Sequence, residues 1–221
     1  MNTKFKSIFL GISLISLFAV YVLTSHEDKL KSLLIRYNIM KVETQASYIS
    51  LTYEQLIKGA DIIFVGKLTN ISPSKWNQDS NEYWEDDSSP RLATPIQLHT
   101  LQFDVSRLII DKIGVESQKT IEVTVLGPSL MDGNTDYNLS IGENVIVFAR
   151  RTDLIWRDGQ TRPITEIVTA PSFAFFTESI NDGRFNGQVI HDLGKGNFAT
   201  ENISLPLPDL ILQIQSIAQQ Q

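Results

Sequence analysis

Asp61-Ile62-Ile63-Phe64-Val65-Gly66-Lys67-Leu68 is the stretch on which the fold turns. Its apolar residues are consecutive and β-branched, and they follow neither a helical period nor a strict alternation. That pattern predicts a short strand covered on much of both faces. Just upstream, Thr52 and Gln55 stand in a capping-box arrangement ahead of Leu56, Ile57 and a terminating Gly59, which predicts a short helix. Downstream, Leu101, Phe103 and Val105 alternate with Gln102, Asp104 and Ser106, while Ile96 and Leu98 fall on the opposite parity. A long strand with a bulge near His99 or Thr100 is expected. Ile121, Val123 and Val125 alternate with Glu122 and Thr124 as a half-buried strand, and Gly142-Glu143 opens Val145-Ile146-Val147-Phe148, a central strand by composition.

Beyond residue 150 the pattern is one of successive hairpin pieces. They are Leu154-Ile155-Trp156 with a turn at Asp158-Gly159, Ile164 to Val168, then Phe173, Phe175 and Phe176, a turn at Asn181-Asp182-Gly183, and Gln188 to Ile190. Pro208 suits the first turn of a closing helix whose Leu210, Ile211, Ile214 and Ile217 form one apolar face.

Four segments carry a resemblance: Ala60-Asp61-Ile62-Ile63-Phe64-Val65-Gly66-Lys67, Phe103-Asp104-Val105, Ile121-Glu122-Val123-Thr124-Val125 and Ile141-Gly142-Glu143-Asn144-Val145-Ile146-Val147-Phe148. Their order resembles the OB-like barrel of bacterial exported proteins related to the TIMP and netrin modules. The resemblance implies a mainly β protein built on a five-stranded OB-like barrel, with an exposed face suited to a macromolecular partner. TIMP-like inhibitors present an N-terminal cysteine to a catalytic metal; this chain has no cysteine, so that mechanism does not carry over. The expected organisation is a signal anchor or signal peptide at 1–25, a stem at 26–50, the OB-like barrel domain at 51–150, and a β-hairpin extension with a C-terminal amphipathic helix at 151–221.

Lys4 and Lys6 precede an almost unbroken apolar run at 7–24. As a helix that run spans about 27 Å, close to the hydrocarbon thickness of a bilayer. The positions before possible cleavage sites, Val22-Leu23-Thr24 and Leu23-Thr24-Ser25, lack the small residues that processing wants. An uncleaved single-pass anchor is expected, with the domain outside the cytoplasm; secretion after cleavage is the alternative. Leu30, Leu33, Leu34 and Tyr37 give the following stem an amphipathic face.

The absence of cysteine removes thiolate nucleophiles, cysteine-rich zinc sites and iron-sulfur clusters. A net charge of −6, or −8 once the two leader lysines are set aside, argues against nucleic acid as a partner. Arg150-Arg151, Arg157 and Arg162 are interrupted by Asp153 and Asp158 and are read as strand-edge and turn charges.

Asp132, Asn134, Asp136 and Glu143 fall at positions 1, 3, 5 and 12 of a calcium-type loop, but position 6, which wants glycine, is Tyr137. Gly142-Glu143 has a sufficient role as a turn. The other candidate is the polar loop Ser72 to Pro95, where Trp76, Tyr83 and Trp84 accompany Glu82, Glu85, Asp86 and Asp87. Exposed rings there would meet a partner, with Trp76, Tyr83, Trp84, Glu85 and Asp86 as contact residues. Rings folded back would instead plug one end of the barrel. His26, His99 and His191 complete no catalytic set, and no G-x-S-x-G, H-E-x-x-H, Walker or G-x-G-x-x-G motif occurs. The sequons at Asn70, Asn138 and Asn202 bear only on eukaryotic secretion. The expectation is a binding module with no cofactor and a protein or glycan partner at the cell surface. A hydrolase using the loop carboxylates and a structural component of an envelope complex are the alternatives.

Overall fold

A computed structural model of the chain describes residues 51–84, 93–127, 139–194 and 197–220. The leader and stem lie outside them. Among the described residues no helix is long and apolar enough to cross a membrane. The chain is mainly β. Its elements are α1 (Tyr53–Gly59), β1 (Ile62–Ile71), β2 (Lys75–Trp76), β3 (Gln97–Asp111), β4 (Thr120–Leu126), β5 (Asn144–Ile155), β6 (Thr161–Ile167), α2 (Pro171–Ala174), β7 (Phe175–Glu178), β8 (Arg184–Gly194), β9 (Asn197–Pro206) and α3 (Leu207–Ala218).

Five strands close a ring in the order β1-β3-β4-β6-β5 and back to β1. Four of the five contacts are antiparallel ladders. The fifth, β4 with β6, is parallel and in register at one pair only, Thr124 with Glu166. From β5 the sheet continues outward through β7 and β8 to β9. The ring's fifth strand, Thr161–Ile167, therefore falls beyond residue 150, where the sequence predicts an extension. Hairpin periodicity alone does not reveal that β6 turns back to meet β4.

Two cores explain the unbroken apolar runs. Ile62, Phe64 and Leu68 of β1 and Val145, Val147 and Ala149 of β5 point into the ring, where they meet Leu101, Phe103, Ile121, Val123 and Phe175. The intervening Ile63, Val65, Ile146 and Phe148 face the other way, into a second core with Leu56, Ile57, Phe176, Phe185, Leu210, Ile211 and Ile214. Each fully buried side chain of this size contributes about 1.5–3 kcal/mol. β1 and β5 thus lack alternation because helices and the β8–β9 hairpin cover the face that would otherwise be wet. Close approach in this layer needs Gly187, since a Cβ there would lie 2.1 Å from Phe176 Cδ1.

Thr52 Oγ1 accepts from Gln55 N, and Gln55 Oε1 accepts from Thr52 N, completing the predicted capping box of α1. In α3, Leu210, Ile211 and Ile214 are buried and Ile217 packs partly buried against the same core. The bulge is placed differently from expectation. β3 pairs with β4 in unbroken register from Leu98 to Asp104, and the irregularities lie on the β1 side, between Ile63 and Phe64, Val65 and Gly66, and Leu68 and Asn70. Leu98 and His99 are both buried. The parity change arises because β1 ends opposite Leu101 and β2 takes over at Leu98, so both faces of β3 are covered at that end.

Candidate functional site

The loop between β1 and β3 is held at its root by Ser72, whose N–H donates to Thr100 O and whose Oγ accepts from Thr100 N. Instead of a featureless loop, it forms the short strand β2 and a small core in which Trp76, Trp84 and Ala93 are buried and Tyr83 is partly buried. Tyr83 meets Trp76 edge-on at 4.9 Å between ring centroids.

The organising residue is Asn77, which is fully buried. Its Nδ2 donates to Thr94 O at 2.9 Å and to Ile155 O at 3.0 Å. Its Oδ1 accepts from Ile96 N at 2.8 Å and from Trp84 Nε1 at 3.3 Å. A buried amide with both ends occupied carries no free valence for a ligand. It joins three pieces of chain: the loop, the start of β3 and the end of β5.

Two arginines complete the union between this loop and the β5–β6 turn. Arg157 donates Nη1 to Gln78 Oε1 at 2.9 Å, donates its backbone N–H to Asn77 O at 3.0 Å, and lies 5.4 Å from the centre of the Trp84 ring. Arg162 bridges Asp79 and Asp158, each at 2.8 Å, and sits 4.1 Å over Trp156. The Gln160 backbone N–H, then the Arg162 side chain, hold the Asp158 carboxyl below the usual carboxylate range. Asp79, then Asp158, raise the Arg162 guanidinium. Arg157 and Arg162 of the interrupted cluster therefore clamp two loops together, with Arg162 ion-paired to Asp79 and Asp158, while Arg150 pairs with Glu166 on the neighbouring strand.

Beside this clamp the ring carries a groove of about 570 Å³. Thr100 and Gln102 of β3, Thr120, Glu122 and Thr124 of β4, and Pro163, Ile164 and Thr165 of β6 line it. Lys75, Ile113 and Val115 line it too, as do Ile62 and Ile121, which are buried in the ring core. The turn carrying Ile113 and Val115 is fixed by Asp111, whose carboxylate accepts from the backbone N–H groups of Ile113, Gly114 and Val115.

Of the predicted contact residues, Trp76 and Trp84 are buried, Tyr83 is half-buried, and Glu85 and Asp86 lie outside the described residues. The rings act on the loop as a small core of its own. Asp132, Asn134 and Asp136 also lie outside the described residues. Glu143 is used locally: its Oε2 accepts from Ser140 N at 2.8 Å across the turn at Gly142, where φ is +100°. Among the described residues no group of three or more histidine or acidic side chains is arranged to hold a metal ion. Sequence reading missed Asn77 and the Gln102–Glu122 pair and took Arg157 for a strand-edge or turn charge, because nothing in their spacing separates a buried hub or a groove wall from an ordinary loop or strand surface. Comparisons with protein-family models, curated proteins and solved structures gave no match for this chain.

Proposed function

We propose that this chain is a membrane-anchored, extracytoplasmic binding module on an OB-like barrel, recognising a protein or glycan partner at the cell surface. The observation that carries the reading is the groove on the β3–β4 face, walled by polar side chains and bordered by a loop and turn that are locked to each other. Pre-formed concavities with a few convergent polar groups are where ligands bind. Five strands closing in Greek-key order support the barrel, and in OB-like barrels this face and its two flanking loops are the recognition surface. The apolar run at 7–24 behind Lys4 and Lys6 supports the anchor.

The buried tryptophans move the contact surface from the loop's rings to the groove that the loop borders. The test is photo-crosslinking of the full-length chain in its native envelope, from a probe at Gln102 and from a control probe at Glu54 on α1. The expected result is a protein or glycan adduct specific to Gln102. The same adducts from both positions would refute the site, and a domain that resists protease added to intact cells would refute the location.

A further inference from the structure

We propose that the end of the β8–β9 hairpin dips into the surface of the lipid bilayer that holds the chain, so that the domain touches the membrane at a second point besides its anchor. The proposal rests on the membrane-anchor part of the reading above and adds to it a lipid-contacting site.

The shape of the hairpin is the first argument. β7 joins β8 only through Thr177 with Asn186 and Glu178 with Phe185, so from Gly187 to Gly194 the ladder of β8 is with β9 alone. Val189 and Ile190 are the last buried residues of β8, and none of the described residues from His191 to Asn202 is buried. The four remaining residues of β8 carry the end of the hairpin about 13 Å past the last buried one. That reach matches the depth of a bilayer's headgroup and upper acyl region.

What stands at that end is the second. Leu193 and Phe198, one on each strand, are 68 % and 62 % exposed. The ladder aligns Phe198 with Asp192, the residue before Leu193, and a bulge follows between Asp192 and Gly194. Gly194 has φ +82°, and its backbone N–H donates to the Asp192 carboxylate at 2.7 Å. The acid beside the two apolar side chains is thus engaged within the turn.

Area decides what covers them. Two side chains of this size bury less than about 500 Å² together, short of the roughly 800 Å² per partner of a stable protein interface. A bilayer needs no matching shape, and a tethered domain meets it at high local concentration, so weak insertion is enough. Charge agrees. Residues 191–200 hold one acid and one base, Asp192 and Lys195, while the chain beyond the leader carries −8. The end of the hairpin is therefore a part of an acidic body that anionic headgroups do not repel. Leu51, where the stem reaches the domain, and Val189, just before the projecting end, also pack in the same core. The tether and the hairpin thus belong to one layer of the fold.

The chain has no cysteine, so the variants Leu193→Cys, Phe198→Cys and Ile180→Cys each take an environment-sensitive NBD label at one place. Ile180, 98 % exposed, lies in the turn at the opposite end of β8. The labelled full-length chains are reconstituted in vesicles of phosphatidylcholine and phosphatidylglycerol, with and without lipids that carry a nitroxide just below the headgroup. Expected are a blue shift and nitroxide quenching at positions 193 and 198, and neither at 180. Adding Leu193→Asp to the chain labelled at 198 should remove the quenching, since a carboxylate would have to enter the apolar layer. Quenching that survives this change, or that is equal at 198 and 180, overturns the proposal. A 198 label that stays in water while the chain floats with the vesicles also overturns it and leaves the anchor standing; a protein adduct from a photo-probe at 198 in native envelopes would then assign the tip to a protein. A chain that does not float with the vesicles removes the anchor reading and this inference with it.

Discussion

Replacing Asn77 with alanine tests whether the loop and the β5–β6 turn are one rigid unit. The substitution deletes four side-chain hydrogen bonds and orphans Thr94 O, Ile155 O, Ile96 N and Trp84 Nε1. A hydrogen bond contributes about 0.5–1.5 kcal/mol net, and a buried group left unpaired costs about 1–3 kcal/mol. The full sum is not reached, because the loop can swing out and give the orphaned groups to water. The cost is thus capped by the free energy of docking the Trp76–Trp84 core, and about 2–4 kcal/mol is expected. The chain's three tryptophans, Trp76, Trp84 and Trp156, all lie in this unit, so their fluorescence reports the loop while far-ultraviolet circular dichroism reports the sheet. At a urea slope of about 2 kcal/mol per molar, the fluorescence midpoint should fall by about 1–2 M and separate from the dichroism midpoint. Asn77→Asp should fall at least as far, since it keeps an acceptor for Ile96 N but sets a carboxylate against two carbonyls. Coincident transitions with an unchanged midpoint would refute the hub.

Three further outcomes can be measured. Gly187→Ala forces a methyl group to within 2.1 Å of Phe176 and should cost about 1–3 kcal/mol, read by calorimetry as a melting temperature lower by roughly 3–10 °C; an unchanged melting point would contradict the packing between β8 and Phe176. Ile214→Ala empties a fully buried position and should cost about 2–5 kcal/mol, whereas Leu212→Ala, at a side chain 66 % exposed, should stay within about 0.5 kcal/mol, and equal losses in urea melts would refute the face assigned to α3. Because the folded state lowers the Asp158 pKa, its stabilisation is complete above the unfolded value of about 3.9 and is lost as pH falls through the lower folded value. Trp156 fluorescence should therefore change in acid below pH 4, and Asp158→Asn should shift or abolish that change; an identical acid titration in the variant would show that the clamp does not depend on this carboxylate.

Sequence patterns reported the strands well where burial is one-sided or doubled. The double-sided burial of Ile62–Val65 and Val145–Phe148 was legible as unbroken apolar runs, and the capping box and the α3 stripe were legible because their periods are local. The fifth ring strand was not, because Thr161–Ile167 looks like any hairpin arm and its return to β4 depends on a tertiary contact made at a single residue pair. β9 escaped for a related reason: Asn197–Pro206 is largely exposed, so no alternation marks it. The candidate loop was found from its composition, which left open whether its rings are exposed or folded back. Trp76 and Trp84 are aromatic because the loop needs a core, and the polar Asn77 between them is the residue that joins it to β5.

The seam between β4 and β6 follows from how the ring is closed. β1, β3 and β4 are added in chain order, and β5 returns to the free edge of β1. The last strand, β6, follows β5 through a tight turn and so must run antiparallel to it along residues 149–155. That direction is fixed before β6 reaches β4, and it makes the final contact parallel. The long ladder with β5 and the Arg162 clamp at the turn both hold β6 on the β5 side. The contact with β4 is therefore a short one, in register at Thr124 and Glu166. Closure of the ring thus ends in a short parallel contact, and the clamp at Arg162 holds β6 on the β5 side of it.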